Sequence, residues 1–153
     1  MVSLQHRARV RVDANGVNAR ARAAIIKTVE MVFGEEAGNS VWHVSIATVS
    51  SAAMRRLYKR YCGKDKVTDV LSFAYGEAPQ GEGKQGEIVL CVPEARKRSR
   101  ADKTSFRRAF AWLIVHGCLH ILGYDHSSAA QARAMKVREE YYLGKRIMFP
   151  DTV

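Results

Sequence analysis

The most constraining feature of the sequence is a segment in which three histidines fall within eleven residues, HGCLHILGYDH. His116 and His120 lie four residues apart in a segment whose apolar spacing predicts a helix from residue 104 or 105 to residue 122. Their imidazoles therefore stand one turn apart on one helix face, close enough to bind one cation. Gly123 ends this helix, and a positive φ there would turn the chain so that His126 approaches the same ion.

The three imidazoles predict a site for one Zn²⁺ ion at the end of the helix. Three protein ligands instead of four leave a position open for water, which is typical of a catalytic zinc site. Two imidazoles buried beside Leu113 and Leu119 without partners would cost roughly 1–3 kcal/mol each, and a bound metal removes that cost. A purely structural metal and the absence of a metal remain alternatives, and the same ligands accept Ni²⁺, Co²⁺ or Cu²⁺.

The spacing HxxxHxxGxxH also matches the metal-binding frame of the metzincin proteases, with one difference. In HExxH peptidases, the residue after the first histidine is a glutamate that acts as the general base. Here that residue is Gly117. Peptide hydrolysis lacks its usual proton acceptor, so a metal-dependent hydrolase of peptides or small molecules is a minor alternative.

The apolar pattern predicts an α/β (α+β) fold with a mixed sheet of about four strands packed with helices. The strands are expected at residues 4–13, 40–49, 67–75 and 87–92. Helices are expected to open at Asn18, at Ser50 or Ser51, at Pro93 (a short basic helix or a turn), at residue 104 or 105, and at Ser127 or Ser128. Gly34 is expected to end the first helix, and the glycine-rich residues 76–86 to form a mobile connection. A length of 153 residues fits one domain over residues 1–153.

The charge of the chain favours an anionic partner. Lys and Arg number 25 against 15 Asp and Glu, and the pI is near 9.9, which attracts polyanions such as RNA or DNA. The basic side chains concentrate in residues 55–66 and 93–108. Alternatively, these clusters are solvated faces that only aid solubility. No apolar run approaches the roughly 18–20 residues that cross a bilayer, so we expect no membrane partner.

The cysteines indicate a reducing compartment. Cys62, Cys91 and Cys118 are odd in number and form no CxxC pair, which suits neither a disulfide framework nor a thiolate zinc site. The N-terminal residues show no secretory signal, and we expect a cytoplasmic protein. The glycine-rich residues 76–86 lack a phosphate-loop pattern, and we expect no dinucleotide cofactor.

Two motifs resemble the YbeY family, bacterial zinc-dependent endoribonucleases of ribosomal RNA maturation. They are HGCLHILGYDH and, upstream, KDKVTDVLSF, and the resemblance covers about residues 41–150, including Met135 and Glu139 downstream. It implies a single α/β domain with one zinc ion at the end of a groove. It also implies single-strand-specific cleavage in the 3′ end maturation of 16S rRNA, a role in ribosome assembly or quality control, and ribosomal RNA and the small ribosomal subunit as partners.

The resemblance makes His116, His120 and His126 the zinc ligands. The expected catalytic residues are His116 together with Glu87 and Asp125, whose carboxylates would orient an imidazole or handle a proton. Each carboxylate alternatively caps a turn. The basic clusters supply the expected RNA-binding residues, which are Arg60, Lys64, Lys66, Arg96, Arg98 and Arg100.

Cys62 departs from the family pattern, because it stands where the family has an arginine before the segment GKDK. A thiol cannot hold a phosphate as a guanidinium does, and Arg60 and Lys64 are the nearby candidates to supply the cation. A second function therefore stays open, a non-cleaving RNA-binding factor of ribosome assembly that keeps the zinc site. Cys62 alternatively packs as a small apolar residue.

Overall fold

The computed structural model describes residues 9–145 and 147–153. Its strands are β1 (Arg9–Asn15), β2 (Val41–Thr48), β3 (Val70–Glu77) and β4 (Lys84–Leu90). Its helices are α1 (Ala19–Glu36), α2 (Ser51–Cys62), α3 (Val92–Ala101), α4 (Phe106–Ile121) and α5 (Ala129–Leu143). Residues 4–8 of the first predicted strand lie outside the described residues.

The four strands form one mixed sheet in the order β1-β2-β4-β3. β1 pairs with β2 and β2 with β4 in parallel, whereas β3 and β4 are antiparallel. The parallel pairs require crossover connections, and α1 is the connection between β1 and β2. The predicted α/β class with a four-stranded mixed sheet is confirmed.

The two faces of the sheet are covered differently. On one face, α1 and α4 pack on the strands, and α3 and α5 pack against α4. The core on this face includes Ile25, Phe33, Val44, Ile46, Ile88, Leu90, Phe110, Leu113, Ile114 and Leu119. On the other face, α2 buries Met54 against Leu71, Val89 and Cys91. Ser45 and Gln85, whose side chains alternate onto that second face, are exposed.

Polar side chains start four of the helices, as the sequence predicted. Asn18, Ser50, Ser105 and Ser128 each accept a hydrogen bond from the backbone N–H three residues later. Such caps stabilise a helix by roughly 0.5–2 kcal/mol. The cap at α5 is reciprocal, because the Gln131 side chain accepts a hydrogen bond from the backbone N–H of Ser128.

The predicted end of α1 at Gly34 is wrong. The helix continues to Glu36 and is capped by Ala37, and the residue with a positive φ is Gly38, at 59°. Gly34 keeps helical geometry, because the free-energy cost of a glycine inside a helix is modest and the rest of α1 outweighs it. This extra half-turn places Glu36 where it reaches the elements that follow α4.

The predicted connection at residues 76–86 is too long. β3 continues to Glu77 and β4 begins at Lys84, so the connection spans residues 78–83. Gly86 belongs to the sheet for a packing reason, since a Cβ there would lie 2.8 Å from Ile121 Cγ2. This glycine marks the close approach of α4 to the sheet and not a turn.

Candidate metal centre

The histidine-bearing helix α4 lies close against the sheet at Gly117. A Cβ at this position would lie 3.0 Å from Ile88 Cδ1, and the neighbouring Cys118 and Leu119 are fully buried. His116 and His120 lie on another side of the helix, which faces α5, and are half-buried. A carboxylate at position 117 would meet the core, so the glutamate of an HExxH peptidase has no place here.

The structure brings the three predicted metal ligands together. The Nε2 atoms of His116 and His120 lie 3.1 Å apart, with the two rings nearly perpendicular at 86°. The His126 ring centroid lies 5.0 Å from that of His120 and 6.1 Å from that of His116. One ring nitrogen from each histidine lies within 4.8 Å of the others. Among the described residues, this is the group of histidine, cysteine or carboxylate side chains that could hold a metal ion.

The turn after α4 brings His126 to the helix. Gly123 has a φ of 98°, and the backbone N–H of Tyr124 donates to the carbonyl of Leu119 at 3.0 Å. In this turn, Asp125 accepts hydrogen bonds from the Ser127 hydroxyl and from the His126 backbone N–H. These two bonds hold the pKa of Asp125 below its usual range and keep the carboxylate ionised.

The two helix histidines are oriented by acceptors on the far side of each ring. His120 Nδ1 lies 2.9 Å from the backbone carbonyl of Tyr124, and His116 Nδ1 lies 3.3 Å from Oε1 of Glu139. A carbonyl and an ionised carboxylate accept hydrogen bonds but cannot donate them, so both Nδ1 atoms carry the proton. The two Nε2 atoms then face each other.

The donor set fits a zinc ion. Two facing lone pairs repel unless a cation lies between them, and tetrahedral zinc with bonds of roughly 2.0–2.1 Å separates its ligand nitrogens by about 3.3 Å. Burial, and after it the neighbouring His116, lower the pKa of His120 and favour the neutral ring that a metal requires. Burial raises the pKa of the Cys118 thiol, which stays protonated and is not a ligand.

Glu139 is a residue of the centre to which the sequence analysis gave no role. It is buried with 8% exposure, and its second oxygen, Oε2, accepts a hydrogen bond from Trp112 Nε1. The Trp112 ring stacks on His116 with centroids 4.4 Å apart. A sequence signal existed, because Glu139 follows the buried Met135 by four residues and precedes Tyr142 by three, on one face of α5.

A hydrogen-bond network centred on Glu36 holds Tyr124 in the turn that follows α4. Glu36 accepts from the hydroxyls of Tyr124 at 2.9 Å and Tyr142 at 2.7 Å, and from Arg138 Nε at 2.7 Å. Burial alone would raise the pKa of Glu36, but these hydrogen bonds outweigh it and hold the pKa below its usual range. The end of α1 is thereby linked to Tyr124, whose carbonyl orients His120.

A cavity of about 350 Å³ lies beside the centre, between α3, α4 and α5. Trp112 and Glu139, which both contact His116, form part of its wall. The cations on its wall are Arg98, Arg108 and Lys136, with Asp102 and Glu140 as further charged residues. With Glu139 included, the wall therefore brings three cations and three carboxylates to the side of the centre bounded by Trp112.

Glu87, the other predicted catalytic carboxylate, is not brought to the histidines. Its neighbours Gly86 and Ile88 face α4, so its own side chain lies on the opposite face of the sheet. There its Oε2 accepts a hydrogen bond from the Tyr75 hydroxyl at 2.9 Å. Partial burial and, after it, this carboxylate raise the pKa of Tyr75 to about 12.

The six predicted RNA-binding residues lie in two places. Arg60 lies in the last turn of α2, on the side of the sheet opposite α4, and Lys64 and Lys66 follow this helix. Arg96, Arg98 and Arg100 lie on α3. Of these three, Arg98 reaches the centre, because its guanidinium lies 4.8 Å from the Trp112 ring centroid and pairs with Asp69.

Known proteins match this chain over nearly its whole length. Residues 9–146 match the family model described as Endoribonuclease YbeY. The chain belongs to the YbeY family. Relatives named Endoribonuclease YbeY include one from Geobacillus kaustophilus, 33% identical over 149 residues, with 89% of this chain and 96% of that protein covered. Another, from Pelotomaculum thermopropionicum, is 34% identical over 148 residues, with 94% and 93% covered.

A solved structure also resembles this YbeY-family chain. The solution structure of a Thermotoga maritima protein matches with a TM-score of 0.60 and 25% identity, over 88% of this chain and 86% of that one. The resemblance to the YbeY family and the enzyme class, an endoribonuclease, are confirmed. Nowhere in the described residues does a helix combine the length and the apolar character that crossing a membrane requires.

Proposed function

We propose that this protein is a zinc-dependent endoribonuclease that cleaves single-stranded ribosomal RNA in the cytoplasm. Its proposed place is the 3′ end maturation of 16S rRNA and ribosome assembly or quality control, with the small ribosomal subunit as partner. One observation carries the proposal, the facing Nε2 atoms of His116 and His120 with His126 beside them in a chain of the YbeY family. Such a set of three imidazoles is a site for a catalytic divalent cation.

His116, His120 and His126 are the proposed ligands of one zinc ion. When bound, zinc acts as a Lewis acid toward a phosphoryl oxygen and makes water a nucleophile near neutral pH. Glu139 accepts a hydrogen bond from the Nδ1–H group of His116 and so keeps the Nε2 of that ring free for the metal. The carbonyl of Tyr124 does the same for His120.

Asp125 is the proposed proton acceptor near the metal. It lies in the same turn as His126, is exposed to solvent, and is kept ionised by the hydrogen bonds that lower its pKa. A carboxylate so placed takes up a proton from water as the phosphodiester is attacked. Glu87 has no such place, since it lies on the other face of the sheet with Tyr75.

The phosphate backbone is held by three cations on the wall of the cavity. Arg98, Arg108 and Lys136 line this cavity next to Trp112, and the phosphodiester carries a negative charge that increases in the transition state. Arg98 is the best-placed of the three, because Asp69 and the Trp112 ring fix its guanidinium. Cations that the fold already holds in position stabilise the negative charge of the transition state without having to reorganise.

The test is cleavage of a precursor 16S rRNA 3′ segment by protein of known zinc content. Wild type with one zinc per chain is expected to cut, the chelator-stripped protein to stop cutting, and zinc addition to restore cutting. His120→Ala is expected neither to hold zinc nor to cut. Cutting by zinc-free protein would contradict the proposal. RNA binding without any cutting by the zinc-loaded protein would point instead to an assembly factor.

Cys62→Arg tests the departure from the family in the same assay. Cys62 is exposed at the end of α2, so an arginine there fits without disturbing the core. One added phosphate contact steepens the dependence of log affinity on log salt by about 0.7 for a single strand. We expect this steeper slope, and a faster cut if the family's arginine contact is recovered.

A further inference from the structure

Three aromatic rings form a row on the face of the sheet opposite the metal centre. Tyr61 lies near the end of α2, and Phe73 and Tyr75 lie on β3. The Tyr61 and Phe73 centroids are 5.2 Å apart at 65°, and those of Phe73 and Tyr75 are 6.1 Å apart at 16°. Tyr61 is 56% exposed and Tyr75 is 57% exposed. This aromatic row therefore presents two large rings to solvent.

The backbone and a carboxylate hold the outer ring of the row. Tyr75 is the extra residue of a β-bulge, since Ala74 pairs with Gly86 and Gly76 pairs with Gln85. Bulges re-aim side chains and are common beside functional sites. The Tyr75 hydroxyl also donates to Glu87, which limits the rotation of its ring. A ring that is both exposed and held in place loses little conformational entropy when it stacks on a ligand.

The basic residues beside the row suit a polyanion. The Arg60 guanidinium carbon lies 5.5 Å from the Tyr61 centroid, and Lys64 Nζ lies 5.9 Å from the Tyr58 centroid. Among the described residues, neither Arg60 nor Lys64 forms an ion pair with a carboxylate. By contrast, Arg55 and Lys59 of α2 both pair with Asp65. Rings flanked by cations without acidic partners are the surface that single-stranded nucleic acids bind.

The row and the metal centre lie at the same level of the sheet, on its two faces. Gly86 on β4 contacts Ile121 of α4 on one face, and the next residue, Glu87, holds Tyr75 on the other. β3, which carries Phe73 and Tyr75, is an edge strand of the sheet and also packs on α4. A ligand that crosses the edge of the sheet at β3 would contact both the aromatic row on one face and the metal centre on the other.

We propose that Tyr61, Phe73 and Tyr75 are a stacking platform for bases of single-stranded RNA, with Arg60 and Lys64 along the phosphate backbone. The platform rests on the proposed function, because it takes the same RNA class as ligand. It holds the strand apart from the site of cleavage, so it contributes to affinity without taking part in the reaction. Bases of any sequence stack on such rings, so the platform selects single strands and not a particular sequence.

The test measures RNA binding by zinc-stripped protein at fixed salt, using fluorescence anisotropy and an unstructured RNA of about 10 nucleotides. Tyr61→Ala and Tyr75→Ala are each expected to weaken binding about 5- to 150-fold. Tyr75→Phe keeps the ring and is expected to stay close to wild type. Tyr141→Ala is the matched control, since Tyr141 is an exposed tyrosine under Arg138 and Lys145 on α5.

A second probe isolates the stacking. The same RNA with abasic sites keeps its phosphates but offers no rings, so wild type and both alanine variants are expected to bind it equally weakly. Equal binding of the intact RNA by wild type and by the alanine variants would overturn the platform. So would a wild-type dimer that Tyr75→Ala dissociates without loss of RNA affinity, because the row would then bind a second copy. Cleavage by zinc-loaded wild type is scored separately, so a failure of the nuclease function remains distinct from a failure of the platform.

Discussion

The helix histidines and the turn histidine of the metal centre are held in different ways. His116 and His120 are half-buried on α4, and each has a fixed acceptor at Nδ1. His126 is exposed, and its hydrogen bond to Asp125 comes from the backbone and not from the ring. Two of the proposed ligands are thus positioned by a packed helix, and the third by a turn that follows Gly123.

This contrast indicates which part of the centre sets the geometry of the three imidazoles. The close contact of Gly117 with Ile88 fixes α4 on the sheet, while the helix and the two Nδ1 acceptors set the spacing of the two Nε2 atoms. The turn supplies a proposed ligand that can adjust to the ion, because the exposed His126 ring has no hydrogen-bond partner among the described residues and can change rotamer. We therefore expect ion affinity to depend most on the helix pair and access to depend on the turn.

The largest expected effect is that of His120→Ala. The substitution leaves only His116 and His126 as proposed ligands, and two ligands bind zinc weakly. It also removes the contact between the ring at position 120 and the Tyr124 carbonyl. We expect the variant to lose zinc at concentrations that saturate the wild type, and RNA cleavage with it. Metal content measured by mass spectrometry on the folded variant checks this. Stoichiometric zinc in the variant would show that another ligand set holds the ion.

His126→Ala is expected to have a smaller effect, and it tests the comparison directly. The helix pair remains oriented by Glu139 and Tyr124, so zinc still binds, but more weakly than with three ligands. Competitive titration with a chromophoric chelator gives the affinity. If His126→Ala lost as much affinity as His120→Ala, the turn would be as rigid as the helix and the distinction would fail.

The sequence predicted the helix pair because both ligands lie within one regular element. Their i, i+4 spacing, the apolar residues around them and the stop at Gly123 are local signals, and the structure has all three. The fold class followed from similar local patterns. The predicted end at Gly34 was wrong for the converse reason, since helix contacts and not a local signal decide where α1 ends.

The roles of residues that act through distant partners could not be predicted in this way. Glu139 lies 23 residues from His116, and Glu36 lies 88 residues from Tyr124, and only the packing of α1, α4 and α5 brings them together. The place of Glu87 likewise depends on the sheet, because strand alternation turns its carboxylate to the face opposite the histidines, where it accepts from Tyr75.

Glu139→Gln tests the acceptor behind His116. Both oxygens of Glu139 accept, one from His116 Nδ1 and the other from Trp112 Nε1, and an amide has only one acceptor. The amide N–H₂ group would face a donor, so one contact is lost. We expect zinc affinity to fall about 10- to 100-fold. Glu140→Gln is the matched control, since Glu140 is exposed on the same helix, and an equal loss there would contradict this role.

The smallest expected effect on zinc is that of Glu36→Gln, which acts on His120 only through Tyr124. Glu36 accepts from Tyr124, Tyr142 and Arg138, and removing its charge weakens these hydrogen bonds, with a loss of roughly 1.5–3 kcal/mol in the free energy of unfolding. Zinc affinity is expected to fall less than in Glu139→Gln. The control is Glu35→Gln, since Glu35 pairs with Lys145 at the surface, and such pairs contribute about 0–1 kcal/mol.

The pH dependence of this loss provides a further test of the Glu36 network. The pKa of Glu36 in the folded protein lies below its ordinary value of 4.5, so the unfolded chain binds the proton more readily. The stability that Glu36 adds is therefore complete above pH 4.5 and is lost as the pH falls through the lower, folded-state pKa. Urea unfolding of wild type and Glu36→Gln should show a difference that is constant near neutral pH and shrinks in acid. A difference that grows in acid would mean that Glu36 is protonated in the folded protein, and the turn behind His120 would then be held by a neutral network.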